Sequence, residues 1–145
     1  MILITGGAFQ GKKAYAMEHF HLREQDMVNG ADCGETDLLQ AKAVTDFQEY
    51  VRRVLKEGGD ASTLAETLYT ENPDILVITN ELGSGVIPAD PFDRQWREAS
   101  GRAACDLAKY AAEVHRVVCG IGTVIKKAQW RYRQDGHTPS TRTLS

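Results

Sequence analysis

A three-layer α/β fold with a mostly parallel central sheet is predicted by three observations. The apolar run Met1 to Thr5 is stopped by Gly6-Gly7 and followed by a helical stretch. The run Ile75-Leu76-Val77-Ile78-Thr79 is β-branched and unbroken by polar residues, as expected of a strand covered on both faces. Helical periodicity lies between and after these runs, so strands alternate with helices and the connections become βαβ units.

The elements follow in order. Met1 to Thr5 reads as a buried strand feeding a glycine loop, and Gly11 to about His21 as a helix. Met27 and Val28 start a weak strand that Asn29-Gly30 ends, with loop through Cys33-Gly34. Leu39, Val44, Phe47, Val51, Val54 and Leu55 recur at helical spacing, which predicts one amphipathic helix capped by Thr36 or Asp37 and stopped by Gly58-Gly59. Thr63 and Glu66 have the form of a capping box for a short helix that Pro73 limits. Asp90-Pro91 supplies an N-cap and an N1 proline. Phe92, Trp96, Ala99, Ala103, Leu107 and Ala111 then mark a helix in which Gly101 is a candidate kink. Val114 to Cys119 is the next strand candidate, ended by Gly120 and Gly122. Residues 1–126 form one domain, and 127–145 a basic C-terminal tail.

Composition narrows the function classes. The chain has 145 residues, 42% hydrophobic and 26% charged, which excludes disordered and collagen-like classes. A net charge of −3 argues against a general nucleic-acid binder, whose phosphate contacts need a basic face. Residues 126 to 145 hold Lys126, Lys127, Arg131, Arg133 and Arg142 against Asp135, a local +4 that leaves −7 for the first 125 residues. Cys33, Cys105 and Cys119 form no close pair, which fits a reducing cytoplasm better than a disulfide framework. No secretory signal or membrane span is expected.

The chemistry concentrates at two loops. Gly6-Gly7-Ala8-Phe9-Gln10-Gly11-Lys12-Lys13 fits the phosphate-loop pattern G-x-x-x-x-G-K at the required place, between a first strand and a helix. Glycines let main-chain N–H groups turn inward around phosphate oxygens, the helix N-terminus adds partial positive charge, and Lys12 can reach the terminal phosphates. Lys13 stands where such loops carry the Ser or Thr hydroxyl that ligates Mg²⁺, and an ammonium has no lone pair to give. The alternative is a strand-to-helix turn needing glycine for backbone reasons only.

The second loop follows the central strand as Thr79-Asn80-Glu81-Leu82-Gly83-Ser84-Gly85-Val86-Ile87-Pro88. Glu81, at a strand's carboxyl end beside a glycine-rich loop, is a candidate metal ligand or base, and equally a brace for the loop. Asn80, Gly83 and Gly85 are candidate substrate or phosphate contacts. Arg94, Arg97 and Arg102 follow on the next helix, of which Arg94 or Arg102 is a candidate clamp for phosphate charge.

Three segments together, ITGGAFQGKK, ITNELGSGVIPADPFDRQWREASGRA and VVCGIGTVIK, resemble the bifunctional adenosylcobinamide kinase/adenosylcobinamide-phosphate guanylyltransferase family of cobalamin biosynthesis. The resemblance covers roughly half the chain, in the family's order. It implies a P-loop fold, phosphorylation of adenosylcobinamide by GTP or ATP with Mg²⁺, guanylyl transfer from GTP through a histidine, and a symmetric homo-oligomer. Lys12 would then neutralise the transferred phosphoryl. Glu81 or Asp32 would replace the missing hydroxyl at the metal, or Lys13 would supply a fixed charge instead.

The chain departs from the family at Gln10, Lys13 and Ala104-Cys105, where the family usually has Ser, Ser and Asn-Gln. It also has no histidine from Gln25 to Asp74, the segment in which the family carries its guanylylated histidine. His19 and His21 lie earlier, two residues apart and on different sides of a helix; His115 lies in a strand and His137 in the tail. These departures leave two readings: a kinase without the guanylyl step, or a catalytically degenerate nucleotide-binding or regulatory protein.

Overall fold

The computed structural model describes residues 1–82 and 88–127. Six strands form one sheet: β1 (Ile2–Gly6), β2 (Met27–Asn29), β3 (Ala43–Thr45), β4 (Leu76–Asn80), β5 (Glu113–Val118) and β6 (Ile121–Lys126), in the order β2-β3-β4-β1-β5-β6. All neighbours pair in parallel except β5 and β6, an antiparallel hairpin. The helices are α1 (Lys12–His19), α2 (Glu35–Gln40), α3 (Phe47–Lys56), α4 (Leu64–Glu71) and α5 (Pro91–Tyr110).

The sheet separates two apolar layers. Ile4, Leu76, Ile78 and Val117 pack with Ala16 of α1 on one face. Leu3, Val44, Val77 and Val114 pack on the other with Phe47 and Val51 of α3, Leu68 of α4 and Leu107 of α5. Fully burying a side chain of this size contributes about 1.5–3 kcal/mol each. The two-sided burial explains why β1 and β4 read as continuous apolar runs: Leu76 to Thr79 are all buried.

The order places β1 and β4 at the centre, as expected, and α5 begins at Asp90-Pro91, with the Asp90 carboxylate accepting the Phe92 N–H at 2.8 Å. The helix is continuous through Gly101.

Three expectations are corrected. The single amphipathic helix from Thr36 or Asp37 to Gly58 is α2, β3 and α3 in succession. Val44, which matched the helical period, lies in a strand whose three residues are all buried between β2 and β4. A three-residue strand offers too few alternations to outweigh the helical residues on either side, and Asp46, at φ 51°, turns the chain between β3 and α3. Secondly, Thr63 makes no side-chain cap, so the Thr63–Glu66 pair is not a capping box. Thirdly, Gly122 does not end a strand: Cys119 and Gly120, at φ 51° and 76°, form the two-residue turn of a hairpin, and Gly122 lies inside β6. Tyr15 packs so closely over Gly122 that no Cβ would fit there.

Candidate functional site

The carboxyl ends of the parallel strands form the site, the place where open α/β sheets bind ligands. Gly6 ends β1, and the loop to Gly11 climbs over the strand ends before α1 begins at Lys12. A Cβ on Gly6 would collide with the Val117 carbonyl, and Gly11 adopts φ 84° with the Gly120 Cα close by. Both glycines are therefore required by shape. Phe9 sits at φ 60° with its ring in solvent.

The loop is pinned on one flank by a residue with no counterpart in the motif. The Gln10 side-chain carbonyl accepts the Cys119 N–H at 2.6 Å, and its main-chain carbonyl accepts the Gly120 N–H at 2.7 Å. Behind it, the Tyr15 hydroxyl lies 2.8 Å from Nδ1 of His115, whose Nε2 lies 3.0 Å from Glu113 Oε1. An ionised Glu113 can only accept, so Nε2–H donates to it and Nδ1 accepts from the phenol. His115 is fully buried among the rings of Tyr15, His19 and Phe20. Burial first, and the Glu113 charge second, push the Tyr15 phenol up from its ordinary value.

The other flank opens into a cavity of about 550 Å³ lined by residues 8–14 and by Asn29, Thr45, Asp46, Gln48, Glu49 and Asn80, among others. The side chain of Lys12 is buried at its base and donates to the Gly7 carbonyl at 2.7 Å. Burial holds the Lys12 ammonium below the usual lysine range, and the charges of Asp46 and Glu81 partly oppose that shift. A buried ammonium between a glycine loop and the start of a helix fits a polyphosphate, while the carboxylates nearby call for a cation to accompany it.

The structure brings Gly6, Gly7, Ala8, Phe9, Gln10, Gly11, Lys12 and Lys13 together as one loop, with Asn80 across the cavity. Glu81 stands at the end of β4, its N–H donating to the Gly6 carbonyl at 2.9 Å. Its two oxygens accept from Arg116 Nε and Nη2 at 2.9 and 3.1 Å, and Oε1 also lies 3.4 Å from the Thr5 hydroxyl. Arg116, like Asp46 and Gln48, is a site residue that sequence reading missed; its alternation in β5, opposite Thr5, was the available signal. Lys13 pairs with Glu24 at 2.9 Å on the exposed side of α1.

Arg94 donates through Nη1 to the carbonyls of Pro88 and Ala89, and Arg102 lines a separate cavity of about 770 Å³ along α5. Neither lines the phosphate-loop cavity, and neither does Asp32. Gly83 and Gly85 lie outside the described residues, as do residues 128–145 of the basic tail.

Among the described residues no group of three or more His, Cys, Asp or Glu is placed to hold a metal by itself. Mg²⁺ commonly binds through one or two carboxylates together with substrate phosphates and waters. The oxygen donors beside Lys12 fit that mode: Asp46 lines the cavity, and Glu81 is close enough to act on the lysine's charge.

Fold and site together define a three-layer α/β protein that carries a phosphate-loop motif between its first strand and helix. A family model described as cobinamide kinase / cobinamide phosphate guanyltransferase matches residues 38–125, more than half of the chain, and the chain belongs to that family. The matched range runs from α2 to β6, so the phosphate loop precedes it and stands on its own motif and geometry. Two curated relatives, each called bifunctional adenosylcobalamin biosynthesis protein CobU, from Escherichia coli (strain K12) and Salmonella typhimurium (strain LT2), are 42% identical over 52 residues. That stretch is 36% of this chain and covers only 29% of each relative's length. No helix among the described residues is long and apolar enough to cross a membrane.

Proposed function

We propose that the chain is a nucleoside triphosphate-dependent kinase of cobalamin biosynthesis that phosphorylates adenosylcobinamide. The observation that carries this reading is Lys12, buried at the base of an open cavity beneath a complete G-x-x-x-x-G-K loop. The family's description and the names of the two relatives supply the substrate class.

In this reading the loop from Gly6 to Lys12 holds the triphosphate of GTP or ATP, because phosphate loops grip the phosphates and do not read the base. Lys12 offsets the charge on the transferred phosphoryl as the acceptor hydroxyl oxygen bonds to the terminal phosphorus and the bond to the bridging oxygen breaks. The hydroxyl proton leaves to a carboxylate or to solvent, and the nucleoside diphosphate is released. Mg²⁺, when bound, would neutralise phosphate oxygens. Glu81 serves as base or metal ligand only if it leaves the Arg116 pair, so in the resting site it braces β4 against β5. Asn80 faces the nucleotide cavity, and Arg94 and Arg102, on α5 outside that cavity, belong to the acceptor side of this reading.

The guanylyl half-reaction is left out of the proposal. Residues 25–74, the segment in which the family carries its guanylylated histidine, contain no histidine. Incubation with labelled GTP is expected to leave no acid-labile GMP on the protein.

Phosphorylation of adenosylcobinamide by GTP or ATP, compared between wild type and Lys12→Ala, tests the kinase. Equal rates in both would remove the loop from the mechanism. Lys13, at the position of the usual Mg²⁺-binding hydroxyl, favours a second reading as a nucleotide-binding module without turnover; tight binding without product would select it. We also read the chain as a cytoplasmic homo-oligomer. The exposed apolar side chains of Val118, Ile121 and Ile125 on the β5–β6 hairpin support self-association, and light scattering of the purified chain tests it.

A further inference from the structure

Two carboxylates that the sequence motifs do not single out, Asp46 and Glu49, line the phosphate-loop cavity. Asp46 follows β3 in the left-handed region, at φ 51° and ψ 46°, which costs energy for a residue with a side chain and must be held by its surroundings. The β2 side holds it from behind. Gly30 approaches the Asp46 carbonyl so closely that a Cβ there would collide with it, and the Gly30 N–H donates to the Thr45 carbonyl at 2.8 Å.

Gln48 holds it from the β4 side. This side chain is 3% exposed, and its Nε2 donates to Asp46 Oδ1 at 3.3 Å. Its Oε1 accepts the Asn80 N–H at 2.9 Å and lies 3.5 Å from the Thr79 hydroxyl. Its main-chain carbonyl accepts the Trp96 indole N–H at 2.8 Å, which ties the assembly to α5. The Asp46 carboxylate therefore lines the same cavity as Lys12 from a fixed turn, and it is the foremost negative charge acting on that ammonium.

The other carboxylates near Lys12 are paired with arginines: both oxygens of Glu81 accept from Arg116, and Glu49 Oε1 lies 4.0 Å from Arg52 Nη1. Lys13, at the position of the usual hydroxyl, is an ammonium with no lone pair for a cation. We propose that Asp46 is the carboxylate through which this site holds the divalent cation of a bound nucleoside triphosphate. The inference rests on the phosphate-loop reading. Its consequence is a charge switch: without the cation Asp46 repels the phosphates, and with it the carboxylate and the phosphates share a positive ion.

The test is a calorimetric titration of the full chain with GTP and with ATP, once in Mg²⁺ and once in EDTA, for wild type and Asp46→Asn. Asparagine tolerates the left-handed conformation and keeps an oxygen for Gln48, so the turn survives while the charge is lost. Asp46→Gly, which accepts the same φ, is the second variant. Wild type is expected to bind about tenfold tighter in Mg²⁺ than in EDTA, and both variants to bind equally, within about twofold, in the two conditions. Variants that keep the full Mg²⁺ gain, or a wild type that shows none, would overturn the assignment while leaving the phosphate loop intact. A wild type that binds no nucleotide in either condition overturns the phosphate-loop reading, and this inference with it.

Discussion

The two flanks of the phosphate loop are built differently. On the β5–β6 flank the loop is closed against protein: Gln10 bonds Cys119 and Gly120, and Tyr15 bonds His115 beneath Gly122. On the β3–β4 flank the same loop faces a cavity lined by Asn29, Thr45, Asp46, Gln48 and Asn80. The first flank keeps the loop in shape through contacts made before any ligand arrives. The second leaves polar groups facing the space a ligand would fill. Preorganisation on one side makes binding on the other less costly, because the loop need not be ordered at the moment of binding.

The comparison is broken most severely at Gly6. Gly6→Ala puts a methyl group against the Val117 main-chain carbonyl, which cannot rotate away. A loss of about 3 kcal/mol in stability is expected, at the upper end for overpacking, together with loss of nucleotide binding. Urea unfolding and calorimetry read the two effects.

Gly122→Ala attacks the closed flank from behind. It displaces the Tyr15 ring and with it the phenol–imidazole bond, for about 1–2 kcal/mol by urea unfolding. Gln10→Ala removes one acceptor from the pin and keeps the main-chain bond to Gly120. Stability should fall by up to about 1 kcal/mol, the scale of one hydrogen bond made in the unliganded chain, and nucleotide affinity by at most about fivefold, as the loop loses part of its preorganisation.

Alkaline pH sharpens the open flank. Burial disfavours the Lys12 ammonium, so its pKa is depressed in the folded chain and the proton is lost before ordinary lysines titrate. Loss of the charge removes the phosphate's partner. Nucleotide affinity is therefore expected to fall as pH rises toward the lysine range, and this fall should be absent in Lys12→Ala. Folding has the opposite sign: a base whose folded pKa is depressed destabilises the fold while protonated, so Lys12 should become less unfavourable to stability over the same rise.

The smallest effect is expected at Glu81→Gln. Its bond to Arg116 is bidentate, but both side chains are exposed and solvent screens the pair, so the unfolding midpoint should move little. A larger loss of turnover with stability unchanged would move Glu81 from brace to participant.

The sequence made the closed framework legible where local pattern and burial agree. β1, the phosphate loop, α1, β4 and α5 were readable because two central strands are buried on both faces and α5 carries its own Asp-Pro start. The region from Gly34 to Lys56 was not, because Ala43–Thr45 is too short to display a strand period and its neighbours Leu39 and Val51 continue a helical one. That misreading hid Asp46, which on a long helix would be an ordinary surface acid. The hairpin partner β6 was hidden for another reason: its glycine sits beneath a tyrosine over one hundred residues earlier, a long-range contact that no local pattern announces. Arg116 and Glu81 likewise meet across strands 35 residues apart.

The central claim is that the cavity on the open flank, with Lys12 at its base, binds a nucleoside triphosphate. Calorimetric titration of GTP and ATP into wild type and Lys12→Ala at neutral pH with Mg²⁺ present tests it most directly. The account predicts saturable binding of one nucleotide per chain in wild type and an affinity about 100-fold weaker in Lys12→Ala, the scale of losing one charge-assisted partner in a partly desolvated site. No binding by wild type, or equal affinity in the two proteins, would contradict it.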